Sequence, residues 1–412
     1  MLLFYDFGIA AYNFLIILFS PFNHKAKLWV DGRKRLLQTI EKQVTKGEKH
    51  SWFHFASLGE FEQGRPVLEA YKARYSEKKI VVTFFSPSGY EVRKNYPLAD
   101  HVFYLPLDTK ANASKFIKLI NPELAVFTKY DYWYHYLNEL KKVEIPACVI
   151  SAIFRKEQPF FKWYGLLNRK MLGLLTKVFV QDYDSKELLN TIDINQVTVS
   201  GDTRFDRVVS NAMAASSFLE IDNFVEGKKT LVAGSTWPED EKLIASLLTE
   251  YPDWKIIIAP HEITESHLTS IEKLFKDSCR FSSLKKTMGK PINQQSRVLI
   301  IDNIGMLSSL YRYGNIAYIG GGFGAGIHNT LEAAAFGIPV IFGPNYHRFR
   351  EATELIKCGG GFAISNIREL ELTVAKLQSE AFVIEAGSNA RNYVMNHTGA
   401  TNKILDEIDR FN

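Results

Sequence analysis

The segment from Gly320 to Glu332 carries the densest set of residues able to do chemistry. It reads Gly320-Gly321-Gly322-Phe323-Gly324-Ala325-Gly326-Ile327-His328-Asn329-Thr330-Leu331-Glu332. Glycines let a backbone approach a phosphate closely. The helix expected to start near Asn329 would add free N–H groups and positive dipole potential for an anion. Glu332, on the first turn of that helix, can accept hydrogen bonds from ribose hydroxyls. The run lacks regular Gly-x-Gly-x-x-Gly spacing, and no acid follows at about 20 residues at the end of a next strand, so it does not match a hydride-transfer fingerprint.

Three further loops follow short apolar runs. Gly234-Ser235-Thr236 precedes an acidic helix start at Pro238–Glu241, Pro260-His261-Glu262 follows the next run, and Asn303-Ile304-Gly305-Met306-Leu307 leads into a helix. Each alone reads as a helix cap. Four such loops on one sheet edge are where an open α/β sheet binds a nucleotide. Earlier, Ser57-Leu58-Gly59-Glu60 sets a carboxylate at a glycine turn. There it is either a general base toward a hydroxyl or a solvated loop acid. Lys129-Tyr130-Asp131-Tyr132-Trp133, and Arg155-Lys156 with Trp163-Tyr164, mix aromatics with charges. That mixture suits sugar faces and phosphates; its plainer reading is a core aromatic edge with solvated lysines. The chain has no HExxH, CxxC pair, Walker loop or DxD-type loop acids, so chemistry without metal or cofactor is expected.

The elements that must position these residues are strands alternating with helices. Ser51–Ser57, Ile80–Phe85, His101–Leu105, Leu124–Thr128, Ala147–Ala152, Val178–Gln181 and Val197–Ser200 read as strands. Helical stretches such as Gln63–Tyr75 and Leu107–Ile120 lie between them, which implies parallel strands with right-handed crossovers. After a turn at Gly201–Asp206 and a helical stretch to Glu226, a second series begins. Its strands are Thr230–Ala233, Lys255–Ala259, Val298–Ile301, Ala317–Gly320 and Val340–Phe342, with Ser282–Ser296 as a loop. Asp202 and Asp206 bracket Arg204 in a spacing that fits a structured turn better than a metal site.

The 412 residues suffice for two such α/β domains, and 46% hydrophobic with 23% charged residues marks a folded chain. Three scattered cysteines suggest neither a disulfide framework nor a zinc motif. Residues 1–200 carry 28 Lys+Arg against 20 Asp+Glu, and the remainder 22 against 25. The first half is therefore the one suited to an anionic surface, although solvated lysines give the same count. Leu2 to Phe19 is apolar and aromatic, interrupted by Asp6 and Asn13, and is followed by His24, Lys25, Lys27, Arg33, Lys34 and Arg35. Positive charge after the run is the wrong order for a signal peptide and places the rest of the chain on the cytoplasmic side. The run suits a span, an interfacial helix, or a helix packed on its own domain.

Taken together, these motifs resemble the 3-deoxy-D-manno-octulosonic acid (Kdo) transferases of lipopolysaccharide biosynthesis. The resemblance rests on Phe55-Ala56-Ser57-Leu58-Gly59-Glu60, Asp131-Tyr132-Trp133, Gly201-Asp202-Thr203-Arg204-Phe205-Asp206, Ala233-Gly234-Ser235-Thr236, Gly326–Glu332 and Gly343-Pro344. It implies a GT-B fold, two Rossmann-like parallel-sheet domains with an N-terminal membrane-associated helix. The expected division is an anchor at 1–22, an acceptor-binding domain at 23–205, a CMP-sugar-binding domain at 206–390, and a C-terminal helix at 391–412 that packs back on the first. It also implies metal-independent, inverting transfer of Kdo from CMP-Kdo to the lipid A precursor, on the cytoplasmic face of the inner membrane and with no nucleic acid partner. The alternative is another GT-B enzyme using a UDP-sugar and a lipid acceptor. By position, Glu60 matches the family's base and Asp131 its second acid. Ser235, Thr236, His261, Gly305, Met306, Asn329 and Glu332 fall on the donor side; Gly59, Lys129 and Arg155 fall on the acceptor side. The chain departs where the family's Pro-Arg-His-Pro reads Ala259-Pro260-His261-Glu262, without the arginine.

Overall fold

A computed structural model of the chain describes residues 1–286 and 296–411. It forms two compact units, residues 1–207 with 398–412, and residues 208–397. The first unit holds β1 (His50–Phe55), β2 (Lys79–Phe84), β3 (His101–Tyr104), β4 (Pro122–Thr128), β5 (Ala147–Ala152), β6 (Lys177–Val180) and β7 (Val197–Val199). They form one parallel sheet in the order β3-β2-β1-β4-β5-β6-β7. All six residues of β1 are buried, as parallel strands covered by helices on both faces must be. Trp52 faces one core with Phe116, Phe127 and Tyr136; Phe53 and Phe55 face the other with Phe61 and Leu68.

Helix Leu58–Arg74 lies close on this sheet because Gly64 has no side chain: a Cβ there would overlap the Phe55 ring. Helix Ala400–Ile408 packs against it, burying Ile404, Leu405 and Ile408 in the same core. Asp206 holds that helix by accepting from the N–H and hydroxyl of Thr401, at 2.7 and 2.6 Å, and from the Gly399 N–H. Asp202 accepts from Gln63 and from Arg204, so both acids of the Gly201–Asp206 turn are structural. Helix Glu380–Asn396 runs past residue 390 within the second unit, and the chain re-enters the first unit at Thr398.

The second unit holds β8 (Thr230–Thr236), β9 (Lys255–Pro260), β10 (Ser278–Arg280), β11 (Val298–Ile300), β12 (Ile316–Ile319), β13 (Val340–Phe342) and β14 (Gly361–Ala363). Their parallel order is β10-β11-β9-β8-β12-β13-β14. Two Rossmann-like parallel units make this a GT-B chain. The short strands β10 and β14 were not among the expected ones. The Ser282–Ser296 loop needs correction at its start, where Phe281–Lys286 is helical; residues 287–295 lie outside the described residues.

Helix Leu2–Phe19 is the one helix among the described residues long and apolar enough to cross a membrane. Apart from Ala11, its less exposed positions are Tyr5, Ile9, Asn13 and Ile16, spaced by three or four and therefore on one face. That face docks on the first unit. The Tyr5 hydroxyl donates to Asp108, His135 Nε2 lies 2.7 Å from Asp6 Oδ1, and Tyr12 packs on Trp29 and Phe85. Arg33 is not part of an exposed basic cluster. Its guanidinium donates to the carbonyls of Leu105, Trp29 and Phe85 and lies over the Trp29 ring.

Candidate active site

In the first sheet, the chain leaves β1 toward β2 on one side, while β4 lies on the other. Strand order reverses between β1 and β4, and ligands of open α/β sheets bind at the carboxyl ends of such a pair. The residues that follow these two strands are Ala56–Glu60 and Lys129–Trp133. Ser57 caps helix Leu58–Arg74, its Oγ accepting from the Glu60 N–H, and the Glu60 carboxylate reaches back to accept from the Ala56 N–H at 2.6 Å. This reciprocal turn holds the carboxylate at the start of the helix instead of leaving it in solvent.

Burial, and next the charge of Asp131, push the Glu60 carboxyl up to about 7, against the Ala56 N–H, Lys129 and the Ser57 N–H, which favour ionisation. A carboxyl so placed changes charge near neutral pH, the condition a general base needs. Asp131 is itself buried, with Oδ2 3.0 Å from His54 Nε2. The ring N–H does not point along that line, so the pair lacks hydrogen-bond geometry and is an electrostatic contact. His54 Nδ1 lies 2.8 Å from Thr83 Oγ1, which accepts from the Trp52 indole N–H at 2.8 Å. A buried row of Trp52, Thr83 and His54 thus backs Asp131.

Glu60, Asp131 and Lys129 therefore act on one another. Gly59 sits above them on the exposed first turn, and a Cβ there would meet only Ser57 Oγ, at 3.9 Å. Arg155 stands apart, within electrostatic reach of Tyr130 and with its own N–H donated to Gln158. His54 was missed by the sequence reading. Its signal was a histidine between two phenylalanines and two residues from Trp52, hence on the tryptophan's face of the strand.

In the second sheet the reversal falls between β8 and β12. Here the glycine run serves backbone packing first. A Cβ on Gly320 would overlap the Ser235 carbonyl, and one on Gly322 would lie 2.5 Å from Gly343 Cα. The glycines let three strand ends meet, a packing role that the sequence reading did not include. Asp240, read from the sequence only as a helix-start acid, ties the arrangement together. Its Oδ2 accepts from the N–H groups of Gly321 and Trp237, each at 2.9 Å, and its Oδ1 from the Tyr318 hydroxyl at 2.8 Å. Burial raises its pKa against these three donors.

The donor-side residues divide into two groups. Ser235 has left-handed backbone (φ 54°) at the end of β8, beside an aromatic stack in which His261 lies between Trp237, at 4.9 Å, and His328, at 4.3 Å. The Trp237 indole donates to His328 Nε2, and burial followed by His261 lowers the His328 pKa, so that ring is neutral with its proton on Nδ1. Asn329 is exposed; its amide donates to Glu332 and its Oδ1 accepts from the Leu331 N–H. By contrast, Thr236 is fully buried with its hydroxyl spent on Glu241, and Met306 is buried beside Asn303. Gly305 is exposed in a left-handed turn (φ 95°). Both expected helices form close to their expected starts, but they are short. The helix after the glycine run begins at Leu331 and spans five residues, and the one after Gly305 spans four, Leu307–Leu310. Dipoles that short supply little anion binding; side chains must supply more.

Comparison with known proteins bears on the same residues. The family model described as 3-Deoxy-D-manno-octulosonic-acid transferase (kdotransferase) matches residues 32–207, which include Glu60 and Asp131. The chain is 26% identical over 348 residues to the 3-deoxy-D-manno-octulosonic acid transferase of Aquifex aeolicus, across 82% of this chain and 89% of that one. It is 27% identical over 331 residues to the transferase of the same name from Chlamydia muridarum, across 77% and 76%. Among solved structures, UDP-GlcNAc 2-epimerase from Neisseria meningitidis bound to UDP-GlcNAc matches with a TM-score of 0.62 at 16% identity, covering 88% of this chain and 100% of that one. That likeness is one of fold.

Proposed function

We propose that this chain, which belongs to the 3-deoxy-D-manno-octulosonic acid transferase family, transfers Kdo from CMP-Kdo to a lipid A precursor at the inner membrane, with Glu60 as general base. The observation that carries the reading is the Glu60–Asp131 pair at the strand-order reversal, with the Glu60 carboxyl poised near neutrality. Ionised Glu60 takes the proton from a primary hydroxyl of the glucosamine disaccharide. The hydroxyl oxygen bonds to the anomeric carbon of Kdo as that carbon's bond to the CMP phosphate breaks, inverting the centre. CMP leaves with the electron pair. The donor side belongs to the second unit, where Ser235, His261, Asn329 and Glu332 offer polar groups beside the aromatic stack.

The acceptor is a lipid, and the first unit has a place for its chains. An apolar groove of about 510 Å³ is lined by Tyr12, Leu15, Phe19, Trp29 and Phe85. Phe85 stacks on Trp133, at 4.7 Å between rings, and donates its N–H to the Phe55 carbonyl just before the Glu60 turn. An acyl chain in this groove brings the sugar head toward Glu60. Incubation with lipid A precursor and CMP-Kdo, followed by mass spectrometry, should show the acceptor gaining one or more Kdo residues; an unchanged acceptor mass sinks the reading. Protection against thermal unfolding by UDP but not CMP would favour a UDP-sugar donor instead.

Because the Asp131 charge raises the Glu60 carboxyl, Asp131→Asn should move the acid limb of the kcat/KM profile below its wild-type position near pH 7. A limb that stays in place would separate Asp131 from the base.

The His135–Asp6 contact supports an interfacial N-terminal helix over a spanning one, since a span would have to draw Asp6 away from His135. Its outward face shows Phe4, Phe7 and Phe14, exposed to 81%, 72% and 65%. Replacing Phe4 and Phe7 together by serine should weaken vesicle binding by about a hundredfold or more, given about 1.5–3 kcal/mol per buried large apolar side chain. Flotation with anionic vesicles reads this out, and undiminished binding would remove the helix from the interface.

A further inference from the structure

Among the described residues, one group of three metal-ligating side chains converges, and it lies away from the strand ends that carry Glu60. His50 opens β1, His101 opens β3, and Glu48 precedes β1 by two residues. They therefore meet at the amino-terminal edge of the first sheet, reaching over the start of β2. One ligand atom from each lies within 4.8 Å of the others.

His50 carries the argument. Its ring is fully buried, and Nδ1 lies 2.7 Å from the Ile120 carbonyl oxygen. A carbonyl can only accept, so Nδ1 bears the proton and the neutral ring turns the lone pair of Nε2 toward Glu48 and His101. A histidine whose second nitrogen is fixed this way is the usual metal-binding arrangement. Nε2 is buried and makes no hydrogen bond, and Glu48 Oε2 stands 3.5 Å from it, too far for one. That separation does suit two ligands on one ion: groups bonded tetrahedrally at about 2.1 Å to one zinc lie about 3.4 Å apart. The His50 and His101 rings are 5.8 Å apart and inclined at 56°, so the His101 nitrogen needs only a small side-chain adjustment to close the set. The nearby cation Lys79 is countered by Asp100 at 3.0 Å.

We propose that Glu48, His50 and His101 bind one divalent transition ion of the zinc type, with a fourth position open to water. Two imidazoles and one carboxylate match the ligand preferences of zinc and do not match those of magnesium or calcium. Bound there, the ion clips the segment before β1 to the start of β3, far along the chain, and braces the sheet edge.

The test uses the full chain, stripped with chelator and titrated with Zn²⁺ against a chromophoric chelator. One equivalent should bind. His101→Gln and Glu48→Gln, both at partly exposed positions that spare the core, should each weaken binding by about tenfold or more. His397→Gln, at an exposed histidine on another unit, should leave it unchanged. Co²⁺ in place of Zn²⁺ should give the visible absorption of a four-coordinate site, lost in the same two variants. Binding below one equivalent, or equal affinity in His101→Gln, Glu48→Gln and the unaltered chain, overturns the proposal.

Discussion

Glu60→Gln should lower turnover by about 10²–10⁴-fold, the range over which a positioned general base contributes, while raising the stability of the fold above neutral pH. The two effects have one origin. The folded carboxyl titrates near 7 against an ordinary 4.5, because burial and Asp131 oppose its charge. A group with a raised folded pKa lends stability that is complete below its unfolded pKa and is lost as pH climbs through the folded one. Between about pH 4.5 and 7 the wild type therefore loses stability, and above that range it carries the cost of a buried charge. Glutamine keeps an oxygen for the Ala56 N–H but has no proton to lose, so the variant escapes that cost. At pH 8 the gain should be on the order of 1–3 kcal/mol, with little difference at pH 4. Thermal unfolding at both values, paired with initial rates, reads the trade directly. Near-normal transfer by a folded Glu60→Gln protein would end the base assignment. A stability difference that ignores pH would end the account of its pKa.

Most of the scaffold was legible in the sequence because parallel strands covered on both faces are written as uninterrupted apolar runs. β5 and β13 fall at their expected bounds, and most of the others lie within one or two residues of theirs. β10 and β14 escaped because neither is an uninterrupted apolar run: Ser278-Cys279-Arg280 has one apolar residue of three, and Gly361-Phe362-Ala363 opens on a glycine. The turn bearing Glu60 was readable from serine and glutamate three apart, the signature of a reciprocal cap. What surrounds Asp131 was not, since His54, Thr83 and Trp52 meet it only through sheet register. The glycine run shows the limit most clearly. Its location at a strand end was visible, but its cause was not. Contacts of Gly320 with Ser235, and of Gly322 with Gly343, join residues distant in sequence, and only the sheet order brings them together.

For the same reason Asp240 is the residue whose removal should most damage the second unit's site, and the chemistry of the replacement should decide the outcome. Asp240→Ala leaves the N–H groups of Gly321 and Trp237 and the Tyr318 hydroxyl without an acceptor in a buried place. Each such loss costs about 1–3 kcal/mol, so several kcal/mol of stability should go. Asp240→Asn should behave differently. Its amide oxygen can take the place of Oδ2 and accept both N–H groups, while its NH₂ donates to Tyr318, whose hydroxyl can turn to receive it. No buried charge then remains to be solvated, and the asparagine protein should stay within about 1 kcal/mol of the original. Because Trp237 and Gly321 lead into the aromatic stack and the glycine run, the alanine variant should also lose thermal protection by CMP, and the asparagine variant should keep it. Hydrogen exchange adds a local reading: the Gly321 and Trp237 amides should exchange faster in Asp240→Ala alone. If the two variants match in stability, exchange and CMP protection, Asp240 is an ordinary first-turn acid, and the glycine run is held in place by its backbone contacts without it.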